Sequence, residues 1–160
     1  MTQPKPDAIV IKVDDLGGSE IEGLLQRHLD FCRSQSPPDS VHALDIDALR
    51  NRSGLVFWSA WRDGEVVGCI ALQELDQHHG EIKSMHTLSS ARGAGVGRAL
   101  VTHLLAEAEA RSYTRLSLET GTMAGFEAAR QLYTGFGFKP CPPFGTYFED
   151  SNSVCMTKTL

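Results

Sequence analysis

The spacing of hydrophobic positions along this chain changes period several times, and each change marks an element. Ala8 to Val13 (AIVIKV) is rich in β-branched residues and predicts a strand. From Ser19 onward, Ile21, Leu24, Leu25, Leu29 and Cys32, with amphipathic His28 among them, recur at helical spacing. Ser34-Gln35-Ser36-Pro37-Pro38-Asp39 then breaks the chain into a loop, and a short helix is expected around Ile46 to Leu49. Leu55–Trp61 and Glu65–Leu75 are strand-like runs joined by Arg62-Asp63-Gly64. Asp-Gly between apolar runs predicts a hairpin, because both turn residues must tolerate positive φ. A second turn over Asp76–Gly80 leads to a third strand, Glu81–Leu88, so the three read as an antiparallel meander.

The period then lengthens. Val96, Leu100, Val101, Leu104, Leu105 and Ala108 predict a helix with one buried face. Thr114–Glu119 returns to a strand, Gly125–Phe136 predicts a helix, and the remainder predicts two final strands. Strand, helix, strand over residues 81–119 implies a parallel crossover within an otherwise antiparallel sheet. The expected class is α/β in the mixed, α+β sense: a mostly antiparallel twisted sheet, one parallel β-α-β crossover and flanking helices. No repeat, low-complexity tract or linker divides residues 1–160, which predict one domain, long enough to bury a core without staples. Trp58 and Trp61 are expected to serve sheet packing.

Charge narrows the partners. Twenty Asp plus Glu against fifteen Lys plus Arg give a net charge of −5, which argues against a protein that lives by binding nucleic acid. Any polyanionic ligand must be held by local features. Cys32, Cys69, Cys141 and Cys155 form no CxxC pair, and His78-His79 lies in a polar turn, so no metal site is expected. Met1–Asp7 lacks the apolar core of a signal peptide, and the longest apolar-plus-Gly run, Val66–Leu72, is too short to span a bilayer. A cytoplasmic protein with no membrane partner is expected.

The most informative segment is Arg92-Gly93-Ala94-Gly95-Val96-Gly97-Arg98, between a predicted strand and a predicted helix. Glycines are costly at a helix start, so their presence implies that backbone N–H groups must approach something closely. At a helix N-terminus that partner is usually an anion, favoured by the free N–H groups and the helix dipole. Arg92 and Arg98 add positive charge, and the segment reads as a pyrophosphate cradle. Neither a dinucleotide G-x-G-x-x-G nor a P-loop G-x-x-x-x-G-K-[ST] fits the glycine register.

The pattern that does fit is R-x-x-G-x-G, and with it the chain resembles the GCN5-related N-acetyltransferase superfamily. A second stretch, Ala129-Arg130-Gln131-Leu132-Tyr133-Thr134-Gly135-Phe136-Gly137-Phe138, is similar to that family's A-x-x-L-Y-x-x-x-G-F signature. The resemblance covers about residues 8–160 in element order and 81–138 in recognisable motifs. It implies acetyl-CoA as co-substrate, with backbone groups of Met85, His86 and Thr87 meeting the pantetheine arm. It further implies that Arg92, Gly93, Ala94, Gly95, Val96, Gly97 and Arg98 hold the pyrophosphate. Tyr133 matches the family tyrosine near the thioester sulfur, often a general acid. Many members carry Asn seven residues before it, where this chain has Phe126.

The chemistry implied is acetyl transfer to a primary amine of a small molecule or peptide, by direct attack in a ternary complex. The amine must lose a proton, an oxyanion must be stabilised by backbone N–H groups, and a thiolate must leave. Glu81, which opens the central strand, is a candidate base; it can equally be a solvated strand-edge glutamate paired with Lys83. Glu119, ending the next strand, is the second candidate. Tyr133 can act as the acid or stand in the core with its hydroxyl bonded to backbone. His42 and Tyr147 lie where the family shapes its acceptor site, but each is expected to be structural or exposed before it is substrate-binding. Two readings stay open beside this one: a non-catalytic acyl-CoA-binding module of the same fold, and a longer acyl donor or a protein amine acceptor. A homodimer, as many family members form, also stays open.

Overall fold

The computed structural model describes residues 8–88, 91 and 95–160. Its elements run β1 (Val10–Val13), α1 (Ser19–Gln35), α2 (Ile46–Arg50), β2 (Leu55–Arg62), β3 (Glu65–Asp76) and β4 (His79–Thr87). They continue through α3 (Val96–Ala110), β5 (Arg115–Gly121), α4 (Glu127–Gly135), β6 (Lys139–Cys141) and β7 (Ser153–Thr159). The strands form one sheet in the order β1-β2-β3-β4-β5-β7-β6. Every neighbouring pair is antiparallel except β4 and β5, whose parallel pairing is reached through α3. The mixed sheet with one crossover is therefore the observed architecture.

Helices on both faces explain the near-continuous apolar run of β3. Trp58, Ile70, Leu72 and Ile82 pack with α3 residues Val96, Leu100, Val101 and Leu104. On the opposite face Phe57, Cys69 and Ala71 pack with Ile21, Leu24 and Leu25 of α1 and Leu49 of α2. A strand covered on both sides has no polar face to show, so its side chains lose the polar-apolar alternation of a half-solvated strand. Trp58 lies in the core at 2% exposure; Trp61 is half-buried, with the Lys12 ammonium 4.3 Å from its ring centroid.

The Asp63-Gly64 hairpin is as expected, with φ of 52° and 79°. Several boundaries differ. The first strand begins at Val10 and not Ala8. The expected turn over Asp76–Gly80 shrinks to Gln77-His78, because Asp76 pairs with His79 and Glu74 with Gly80. His79 is thereby a strand residue whose Nε2 lies 2.7 Å from Ser117 Oγ. The helix expected over Gly125–Phe136 divides into a 3₁₀ turn, Ala124–Phe126, and α4. Leu105, expected on the buried face of α3, is half-buried.

The feature that makes a site is a break in the middle of the sheet. Ser84 and Met85 of β4 stand opposite the single residue Ile70 of β3, a bulge with Ser84 at φ 54°. Cys69 Sγ donates to the Ser84 carbonyl at 3.1 Å, anchoring the bulge to β3. A left-handed conformation at a residue with a side chain costs roughly 1–2 kcal/mol, so the surrounding packing must impose it. Parallel pairing of β4 with β5 ends at Ile82 and Leu118, and beyond that point the strands part.

Candidate active site

The gap between β4 and β5 opens into a cavity of about 540 Å³, closed by α1, the start of α3, α4 and the loops around His42 and Tyr147. That volume suits an organic ligand of moderate size. Lys83–Thr87 run along one wall, and Glu119–Gly121 lie on the other. Beyond Ile82, the backbone groups of β4 that would have paired with β5 face this space, and buried backbone groups require partners. Met85, His86 and Thr87 thus sit where an extended ligand arm can complete the ladder.

At one end lies the N-terminus of α3. Gly95 is its N-cap, at φ 82° and ψ 13°, a left-handed conformation that glycine adopts without steric penalty. A Cβ added there would meet nothing within 4 Å, so the space beside it is open. Gly97 has a different reason: its Cβ would come 3.1 Å from Leu132 Cδ2, where α4 packs closely. Val96 is buried, and the exposed Arg98 places its guanidinium 5.5 Å from the centroid of the Phe136 ring. These residues and the free N–H groups of the first turn fit a pyrophosphate. Arg92, Gly93 and Ala94 lie outside the described residues.

Tyr133 is 5% exposed, its ring edge-on to Phe138 at 5.7 Å, and it lines the cavity. Burial alone pushes its phenol above the ordinary value of 10. The backbone hydrogen bond considered for its hydroxyl does not occur among the described residues. A neutral, unengaged O–H facing a cavity is a proton donor in waiting.

The other end holds the carboxylates. Glu81 is 4% exposed, so the solvated reading is corrected, although the pairing with Lys83 is present: Nζ lies 3.2 Å from Oε2. Tyr147 donates to the same Oε2 at 2.5 Å, and Lys83 donates to the Tyr147 hydroxyl at 3.1 Å. Burial and the Glu81 carboxylate both push the Tyr147 phenol upward. Glu81 Oε2 is therefore engaged twice. Glu119 differs: its side chain is 9% exposed, and its Oε2 is buried without a hydrogen-bond partner among the described residues. Burial raises its carboxyl from 4.5 to about 7, the Lys83 ammonium and Ser153 hydroxyl partly opposing this. His42 Nε2 stands 3.7 Å from that oxygen, and its ring packs edge-on against Tyr147 at 5.1 Å.

Sequence reasoning underrated Tyr147 and Lys83. Tyr147 lies 66 residues from Glu81, so no local spacing could have joined them. Phe126, in place of the family asparagine, packs edge-on against Phe31 at 5.3 Å and covers Gly121, where a Cβ would come 2.3 Å from its ring. His28 Nδ1 lies 3.0 Å from His86 Nδ1, and burial followed by the neighbouring imidazole lowers His28 to about 3. Cys32 and Cys155 are each raised to about 11, chiefly by burial, and burial likewise raises Cys69 and Cys141. No thiol here is primed as a nucleophile. Among the described residues, no group of three or more His, Cys, Asp or Glu side chains could hold a metal ion, and no helix is long and apolar enough to cross a membrane.

Known proteins are similar to this chain. Residues 21–138 match the family described as Acetyltransferase (GNAT) family. An uncharacterized N-acetyltransferase of Bacillus subtilis, YsnE, is 53% identical over 150 residues, 94% of this chain and 99% of that protein. A second uncharacterized N-acetyltransferase, YedL of Escherichia coli, is 44% identical over 94% of each chain. Among solved structures, a GNAT family acetyltransferase from Elizabethkingia anophelis with acetyl-CoA bound superimposes with a TM-score of 0.70. It is 20% identical, covering 95% of this chain and 98% of its own, and so speaks to the fold. With family match, relatives and fold in agreement, the chain belongs to the GNAT acetyltransferase family and is an N-acetyltransferase.

Proposed function

We propose that the protein transfers acetyl from acetyl-CoA directly to a primary amine held at the carboxylate end of the cavity. The observation that carries this is the parting of β4 and β5 after Ile82 and Leu118. One opening thereby joins the α3 N-terminus to Tyr133 and Glu119. Acetyl-CoA supplies an activated thioester carbonyl; the chain supplies binding, orientation and proton handling. Gly95, Val96, Gly97 and Arg98, with Arg92, Gly93 and Ala94 before them, hold the pyrophosphate, and the Met85–Thr87 stretch beyond the β5 pairing meets the pantetheine arm.

Glu119 is the general base. Its free oxygen and a carboxyl raised to about 7 let it take a proton from an arriving ammonium near neutral pH. Glu81, the first candidate from the sequence, instead positions Lys83 and Tyr147. A backbone N–H on the splayed edge of β4 steadies the charge that grows on the carbonyl oxygen. Tyr133 donates its proton toward the departing sulfur. No cysteine takes part, in keeping with four thiols all raised by burial. The setting proposed is cytoplasmic, where free cysteines stay reduced.

The test is calorimetric titration of the protein with acetyl-CoA, beside Gly95→Asp, which places a carboxylate in the cradle. Micromolar binding by the wild type and its loss in the variant are expected. A wild type that does not bind acetyl-CoA sinks the proposed mechanism.

A further inference from the structure

The acceptor can be narrowed by counting charge where it must sit, an argument that rests on reading Glu119 as the residue facing the amine. Two carboxylates, Glu81 and Glu119, and one ammonium, Lys83, face this end of the cavity. The Glu81 and Lys83 side chains are 5% and 10% exposed and lie 3.2 Å apart, so one negative charge is matched within the protein. Lys83 is committed further, donating to Tyr147. Glu119 is left as one unmatched, buried carboxylate with a free oxygen.

The remaining groups do not alter the count. His28 is lowered to about 3, first by burial, and is uncharged. His42 Nε2 stands 3.7 Å from Glu119 Oε2, beyond hydrogen-bond reach. Tyr147 and Cys32 stay protonated, both raised first by burial. Arg98 belongs to the far end, in the first turn of α3. Asp150 does not line the cavity; it accepts from Ser40 Oγ at 2.6 Å and from the Asn152 N–H at 2.9 Å.

One buried unmatched anion balances one cation. A carboxylate on the acceptor would face Glu119 as a like charge while Lys83 is already taken. A second ammonium would find no second free anion. Much of the rest of the wall is apolar: Phe31 and Phe126 stack edge to face, and Val41 and Leu44 line the same cavity. Against that part, polar or charged substituents would lose hydration without replacement partners. We propose that the acceptor is a small primary amine carrying one positive charge and an uncharged, apolar or aromatic remainder, and that free amino acids and polyamines are poor acceptors.

The test compares three amines on one carbon frame at about pH 8, with acetyl-CoA saturating. These are phenethylamine, phenylalanine (the same frame with a carboxylate) and 4-(aminomethyl)phenethylamine (with a second ammonium). The expected kcat/KM for phenethylamine exceeds both others by at least about tenfold, the ratio given by 1.4 kcal/mol. In Lys83→Met, Glu81 keeps Tyr147 but loses its matching cation and becomes a second unbalanced anion, so the diamine should gain on phenethylamine by a similar factor. If phenylalanine or the diamine equals phenethylamine in the wild type, the inference is overturned while acetyl transfer stands. Turnover of none of the three also overturns it. Titration with acetyl-CoA on the same preparation then shows whether donor binding has failed as well.

Discussion

Glu119→Gln separates stability from catalysis at one atom. In the folded protein the carboxyl is raised from 4.5 to about 7, mainly by burial. Between these values the folded state keeps the proton while the unfolded chain has released it. The unfolded state then binds fewer protons, so stability falls as pH rises through this window, and the loss is complete above about pH 7. At about 1.36 kcal/mol per pH unit the interval is worth about 3 kcal/mol. Glutamine has nearly the same shape and no titration. Urea unfolding of both proteins at about pH 4.5 and about pH 8 reads the effect as a difference of differences, in which other titrating groups cancel. The variant should gain about 3 kcal/mol on the wild type between the two pH values, while its turnover collapses because the base is gone. If the gap between the two proteins is the same at both pH values, Glu119 is not a desolvated carboxylate and the assignment of the base falls with it.

Two further outcomes follow from single side chains. Tyr133→Phe removes a hydroxyl that makes no hydrogen bond among the described residues, so melting temperature and acetyl-CoA affinity should hardly move while turnover drops strongly; unchanged turnover would assign the proton to another donor. Gly121→Ala places a Cβ about where the Phe126 ring lies, 2.3 Å from Cδ2. It should cost about 1–3 kcal/mol in denaturant unfolding and raise KM for the acceptor as the ring is driven into the cavity; an unaltered KM would mean that Phe126 does not bound the acceptor space.

Elements with local causes were legible in the sequence. Asp63-Gly64 fixes its hairpin through backbone conformation, and the buried face of α3 follows from Val96, Leu100, Val101, Leu104 and Ala108. The proposed cradle stood out because unusual glycines at a helix start need a reason, and the family resemblance rests on the same residues. The bulge was hidden: Glu-Ile-Lys-Ser-Met-His alternates well enough to pass for a regular strand, and Ser84 is not a residue that advertises positive φ. The different surroundings of the two glutamates were hidden too, because they depend on what reaches them. Tyr147 arrives from a loop before β7 and hydrogen-bonds Glu81, whereas no donor among the described residues reaches Glu119 Oε2. These partners, and neither spacing nor burial, distinguish the two.

The parting of β4 and β5 also has a mechanical side. The first four strands and the last three are joined across the sheet by the short parallel ladder from His79–Arg115 to Ile82–Leu118. A ligand lying in the gap would act as a removable strand, bridging the two halves with the backbone hydrogen bonds that they do not make to each other. Its binding energy then adds to the cohesion of the whole sheet, about 2.7 kcal/mol at a hundredfold excess over Kd. Amide protons on both sides of the seam should exchange more slowly together when it is present. On this view the chain is an unfinished sheet whose missing strand is carried in by the donor and leaves with every turnover.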